Sequence, residues 1–142
     1  MRFMIIRRAD KNTEGGVMPD PKLLEAMGAF HEEMAKAGIL LDGMGLHPTS
    51  KGALVKFRGG KATITDGPFA EAKELIAGFS IFEVKSREEA ISWLKRWPPE
   101  DGHGNVELEL RQFYEADDFG DEFTPAWREQ EERLRTMGKP TP

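Results

Sequence analysis

There is no cysteine among the 142 residues, which excludes disulfides, thiolate zinc sites and cysteine nucleophiles together. Long apolar runs are missing as well. The longest, Phe3 to Ile6 and Ile39 to Leu41, fall far short of a bilayer span. Arg7 and Arg8 follow directly on Met4 to Ile6, so no charged-then-apolar leader is legible at the start. A cytoplasmic protein without membrane attachment is predicted. Basic excess is also absent. The net charge is −5, and the stretch from Phe113 to Pro142 carries eight acidic and four basic residues. The chain from Met1 to Gln112 is therefore nearly neutral, and direct nucleic-acid binding is not expected.

Several chemical signatures are wanting. Three scattered histidines show no H-x-x-x-H or H-E-x-x-H spacing, so neither a metal nor a cofactor is expected. In His31-Glu32-Glu33, adjacent helical residues point in different directions. Gly43-Met44-Gly45 lacks the third glycine and helix start that pyrophosphate binding needs. No P-loop and no nucleophile-elbow serine occur.

What is present is a chain with 39% hydrophobic and 32% charged residues, long enough for one core. Arg2 to Arg7 is apolar at successive positions, which predicts a strand buried on both faces. Asp20-Pro21 starts a helix, Asp capping free amides and Pro fitting the first turn. Leu23, Met27, Phe30 and Met34 form its buried stripe, and Gly38 suits its end. Ile39 to Leu41 reads as a short strand running into the turn-rich Gly43-Met44-Gly45. Residues 53–58 and 61–65 predict a hairpin about Gly59-Gly60. Phe79 to Val84 is a further strand. Ser86 and Glu89 form a capping box for a helix burying Ala90, Ile91, Leu94 and Trp97, which Pro98-Pro99 stops. Val106, Leu108 and Leu110 alternate with charges as a last, half-wet strand.

That order predicts an α+β protein, a ferredoxin-like βαββαβ antiparallel sheet with an extra hairpin strand at 61–65. Residues 1–112 are the expected domain, and 113–142 an acidic C-terminal extension. In the extension, Asp117 to Phe123 is acidic and aromatic, and Thr124-Pro125 opens a helix with a narrow seam of Trp127, Leu134 and Met137. Such a helix needs a surface to lie on. Two helices cover only one side of such a sheet. Yet Phe3/Ile5, Met4/Ile6, Phe79/Ile81 and Phe82/Val84 supply apolar groups to both, which predicts a homodimer with a small cavity beside or between its sheets.

The segment Thr65-Asp66-Gly67-Pro68-Phe69-Ala70-Glu71-Ala72-Lys73-Glu74-Leu75-Ile76-Ala77-Gly78-Phe79 resembles the signature of DGPF-domain proteins, a branch of the YCII-related family. Arg2-Phe3-Met4, residues 37–46 and Ser86 to Ala90 extend the likeness over roughly residues 1–112, one ordinary domain. The resemblance implies a dimeric α+β barrel of ferredoxin-like units, without a settled reaction. Some relatives in the wider group use a His–Asp pair on small organic substrates, the His falling about where Leu24 to Met27 lie; no His stands there. The branch often has Glu where this chain has Met44. Some relatives are linked with alternative sigma factors, which implies a regulatory partner.

Asp66 is the leading candidate for acid–base work, on a stiff Gly-Pro turn, or else it caps a short helix starting at Pro68 or bonds its own turn amides. Lys73 reads as an anion-binding residue with Glu71 as base, or both belong to a solvated, self-paired face. His31 lies at the edge of the buried helix stripe as a general base or a satisfied boundary histidine. His47, with Met44 in the same glycine-rich loop, is its runner-up, and His103 falls in an exposed turn. Two functions follow. One is a small-molecule binding protein with a cavity near Asp66, the 43–47 loop and His31, its chemistry being proton transfer or lyase-like if it is an enzyme. The other is a non-enzymatic interaction module whose acidic, aromatic tail docks on a partner or clasps the dimer.

Overall fold

The computed structural model describes residues 1–70 and 74–137. These form two compact units that divide between Gln112 and Phe113.

In the first unit, strand β1 (Arg2–Arg8) leads through a four-residue helix α1 (Lys11–Glu14) to helix α2 (Pro21–Lys36) and strand β2 (Leu40–Gly45). Strands β3 (Ala53–Arg58) and β4 (Lys61–Asp66) come next, then β5 (Ile76–Glu83), helix α3 (Arg87–Leu94) and β6 (Leu108–Gln112). The sheet order is β2-β5-β1-β6 with each neighbouring pair antiparallel. This is the ferredoxin-like arrangement. Both strands of the hairpin, not the second alone, lie outside it as a separate two-stranded ribbon.

The N-cap side chains accept as expected, but the box at Ser86 is only half formed, because the Glu89 carboxylate accepts from the Lys85 amide at 2.7 Å instead of from Ser86. The Asp20 carboxylate accepts from the Leu23 amide at 2.8 Å, and the Ser86 hydroxyl accepts from Glu89 at 3.1 Å. Gly38 takes a φ of +74° just past α2, a conformation that costs a side chain but not glycine. The unforeseen α1 is capped by Asp10, whose side chain and backbone exchange bonds with Thr13.

One face of the sheet carries the core. Phe3, Ile5 and Phe82 are 2%, 1% and 0% exposed, and they pack with Phe30 and Met34 of α2 and Ala90 of α3. Trp93, which the helix pattern did not single out, packs there too, its ring 6.3 Å from that of Phe30, while Trp97 meets Phe30 edge-on at 6.0 Å. The stripe in α2 is graded: Leu23 and Met27 are half-buried, Phe30 and Met34 buried. Arg7, near the end of β1, is clamped to the loop after α3. Its guanidinium donates to Asp101 at 2.7 and 3.2 Å and to Asp10 at 3.1 Å, and the Trp97 indole donates to Asp101 at 2.9 Å. Burial pulls the Arg7 pKa down, but the bonds and charge of Asp101, then of Asp10, outweigh it and leave it raised. Partial burial pushes the Asp10 carboxyl up, and the Thr13 amide with the Arg7 charge more than reverses that, leaving it below its ordinary value.

The opposite face of the same layer is apolar at its centre. Register sets Met4 beside Ile81, Ile6 beside Phe79, and Phe79 beside Met44. The first four are half-buried, and Met44 is 62% exposed. Strand β2 is longer than its apolar residues suggest, because Gly43 and Gly45 pair with β5 instead of turning. A Cβ at Gly43 would lie 3.2 Å from the Ser80 hydroxyl and 3.3 Å from the Phe79 carbonyl, so the glycine serves close approach.

The second unit holds a 3₁₀ stretch at Ala116–Glu122 and helix α4 (Pro125–Met137). The Thr124 hydroxyl accepts from the Trp127 amide at 3.3 Å. Tyr114, Phe119, Phe123 and Trp127 form a ladder with successive ring centroids 5.4, 5.2 and 6.2 Å apart. Arg128 sits over Phe123 at 5.7 Å and pairs with Asp117 at 2.9 Å.

Candidate functional site

The Asp66-Gly67-Pro68-Phe69 corner is held by a chain of bonds reaching back to α1. Glu14 accepts from the Thr49 hydroxyl at 2.6 Å and from the Thr49 amide at 3.2 Å. The same hydroxyl accepts from the Phe69 amide at 3.0 Å. Gly67 donates to the Gly52 carbonyl at 2.9 Å, which joins the two ends of the ribbon. A Cβ on Gly67 would stand 1.7 Å from the Thr49 carbonyl oxygen, so no side chain fits there without moving the backbone. Gly67→Ala is therefore expected to lower stability by about 1–3 kcal/mol or more. Thr49→Val, which removes two bonds and no volume, should lose about 1–2 kcal/mol. Urea denaturation of the two variants checks both figures, and a Gly67→Ala protein of unchanged midpoint would mean that the corner is not tightly seated.

Beside this corner lies an open cavity of about 420 Å³, within the size range of small-molecule sites. Its apolar wall includes Leu46, Leu54, Phe69 and Ile76, and its polar groups are His47, Thr49, Lys51 and Glu74. An imidazole, an ammonium and a carboxylate thus share one concavity, a set able to bind an organic molecule and to move a proton on it.

The sequence candidates are spread more widely than that. His47 lines the cavity. Asp66 ends β4, opposite Ala53 and exposed, and is not among the lining residues. Met44 stands on the second face of the sheet, across from Phe79. His31 is half-buried on α2, where burial pushes its imidazole below its ordinary pKa and favours the neutral form. Glu71 and Lys73 lie outside the described residues. His103, at a φ of +54°, is exposed. Three residues that sequence reasoning did not pick out, Glu14, Thr49 and Lys51, form or support the cavity. They lie well before the corner in sequence, and no local motif joins them to it. Among the described residues no group of three or more His, Asp or Glu is placed to hold a metal, and no helix is long and apolar enough to cross a membrane.

A model of the YCII-related domain matches residues 1–113. An uncharacterized protein of Rhizobium meliloti (strain 1021) is 30% identical over 76 residues, which cover 54% of this chain and 61% of that protein. The match thus spans less than two thirds of that relative's length. Among solved structures, 5-chloro-2-hydroxyhydroquinone dehydrochlorinase from Burkholderia phenoliruptrix AC1100, in complex with 2,5-dihydroxybenzoquinone, is similar with a TM-score of 0.40. It is 14% identical, and the superposition covers 85% of this chain and all of that one.

Proposed function

The chain belongs to the YCII-related family, and on that premise we propose that it is a homodimer binding a small organic molecule in the cavity beside Phe69. The single observation that carries this reading is the meeting of His47, Lys51 and Glu74 in one mostly apolar concavity. Its wall is fixed by the Glu14–Thr49–Phe69 bonds. A pinned wall lowers the ordering cost of binding. If the site is catalytic, the groups present suit proton transfer or a lyase-like elimination, with His47 or Glu74 as base and Lys51 steadying negative charge. The mixed face of Met4, Ile6, Phe79, Ile81 and Met44 supports the dimer, since an apolar patch of this kind normally meets another protein surface.

A thermal-shift screen of small hydroxylated and carboxylated organic acids tests the cavity. A hit should raise the melting temperature of the wild type and of Asp66→Asn, and leave Leu54→Arg and the double variant His47→Ala, Glu74→Gln unmoved. Equal stabilisation of all four proteins would place the site elsewhere.

The ladder of Tyr114, Phe119, Phe123 and Trp127 favours a second reading. Tyr114 is 75% and Trp127 54% exposed, and eight acids surround these rings in sequence. An interaction module for a regulatory protein, a sigma factor included, would present such a surface. Truncation after Gln112 separates the cases: lost partner capture with an intact cavity supports the module, whereas lost dimerisation supports a clasp.

A further inference from the structure

The β3–β4 ribbon stands outside the core. All twelve of its strand residues are exposed, and a lone two-stranded hairpin is marginal in water. Its two sides differ. Register places Val55 beside Ile64 and Phe57 beside Ala62, so these four share one side with the Ala53–Asp66 pair at its root. Lys56, Arg58 and Lys61 share the other with Leu54, Thr63 and Thr65. Val55, Phe57 and Ile64 are 56%, 71% and 69% exposed. One side of the ribbon thus suits water, and the other, apart from Asp66 at its root, suits protein.

We propose that the ribbon is an arm whose Val55, Phe57 and Ile64 side packs against a second copy of this chain. The inference rests on the homodimer proposed above, and interface size argues for it. The four strands of the sheet hold seven, six, eight and five residues. Because strand residues alternate in direction, about 13 of them face the second side. A standard interface engages roughly 20–30 residues on each partner. The sheet alone falls short, and several of its outward residues, among them Asp42, Glu83, Glu109 and Arg111, are charged. That side of the ribbon adds about half a dozen positions, five of them apolar, which brings the total close to the lower end of that range. Chain continuity points the same way, because the ribbon leaves through residues 46–52 from β2, the strand that places Met44 on the second face. The arm is also held at its root. The Gly67 to Gly52 bond and the Thr49 contacts fix where it emerges, so little ordering is needed on docking.

Sedimentation equilibrium of the wild type, of Phe57→Lys with Ile64→Lys, and of Ile81→Asp tests this, together with amide exchange of the wild type. If the arm docks, the double lysine variant weakens the dimer at least 100-fold while its circular dichroism stays native. Ribbon amides in the wild type then exchange at least tenfold more slowly above the dimer dissociation constant than below it. The exchange measurement needs no variant, so a misfolded lysine protein leaves the test intact. A wild-type dimer whose ribbon amides exchange equally fast at both concentrations overturns the arm alone. A wild type that keeps the mass of one chain at every concentration overturns the dimer itself, and the arm with it.

Discussion

Asp101→Ala is expected to destabilise the first unit by about 3–5 kcal/mol, the range for breaking a buried charge pair from one side. Asp101 is only 7% exposed and accepts three hydrogen bonds, two from the Arg7 guanidinium and one from the Trp97 indole. Without it, Arg7 keeps Asp10 and the Arg8 carbonyl but loses its better-buried counter-charge. The Trp97 donor is left without its acceptor, a loss of about 1–3 kcal/mol by itself. Trp97 also packs on Phe30, so loosening it disturbs the contact between α2 and the end of α3. Asp101→Asn keeps an acceptor for the indole and should lose less. Urea denaturation followed by tryptophan fluorescence measures both, and a loss below about 1 kcal/mol for the alanine variant would show that solvent replaces the carboxylate freely.

The second large effect concerns association. Ile81 lies beside Met4 on the outward face, while Ser80 and Phe82, its neighbours in β5, point to the core side. Ile81→Asp should therefore lower folding stability modestly, by about 1 kcal/mol. Its effect on the proposed dimer should be far larger. An unpaired carboxylate at the centre of a desolvated interface costs about 3 kcal/mol or more, which is a rise of at least 100-fold in the dissociation constant. Ile5→Asp, two positions along β1 from Phe3 and 1% exposed, should instead abolish folding. One layer thus carries two apolar faces with separate consequences, and the pair of variants distinguishes them by chromatography and circular dichroism.

Much of this architecture is legible in the sequence because its signals are local. Successive apolar residues from Phe3 to Ile6 declare a strand with two greasy sides, and the observed burial of Phe3 and Ile5 against the partial exposure of Met4 and Ile6 follows from strand alternation alone. Asp20, Ser86 and Thr124 mark helix starts by chemistry that acts within three residues. Glycine is more ambiguous. Gly59 and Gly60 take positive φ angles and turn the ribbon. Gly43 lies in a strand, where its missing Cβ admits Ser80 and Phe79. Sequence alone does not separate these two uses of glycine. Contacts across long sequence separations leave no local trace at all. Asp101 reads as one polar residue of a surface turn until Arg7, 94 positions away, is brought against it. The cavity likewise depends on Glu14 reaching Thr49, 35 positions on. Asp66 draws notice as the acid of a rigid corner; it is exposed at the ribbon's end, while Phe69 of the same corner lines the cavity.

The claim on which dimer, arm and shielded sheet all depend is that a single protomer leaves an apolar face unmet. Sedimentation equilibrium of the wild-type protein, from submicromolar to high micromolar concentration, measures this directly. A mass near twice that of one chain through the micromolar range, halved by Ile81→Asp, is the predicted result. A single species with the mass of one chain at every concentration, in the wild type and the variant alike, would contradict it.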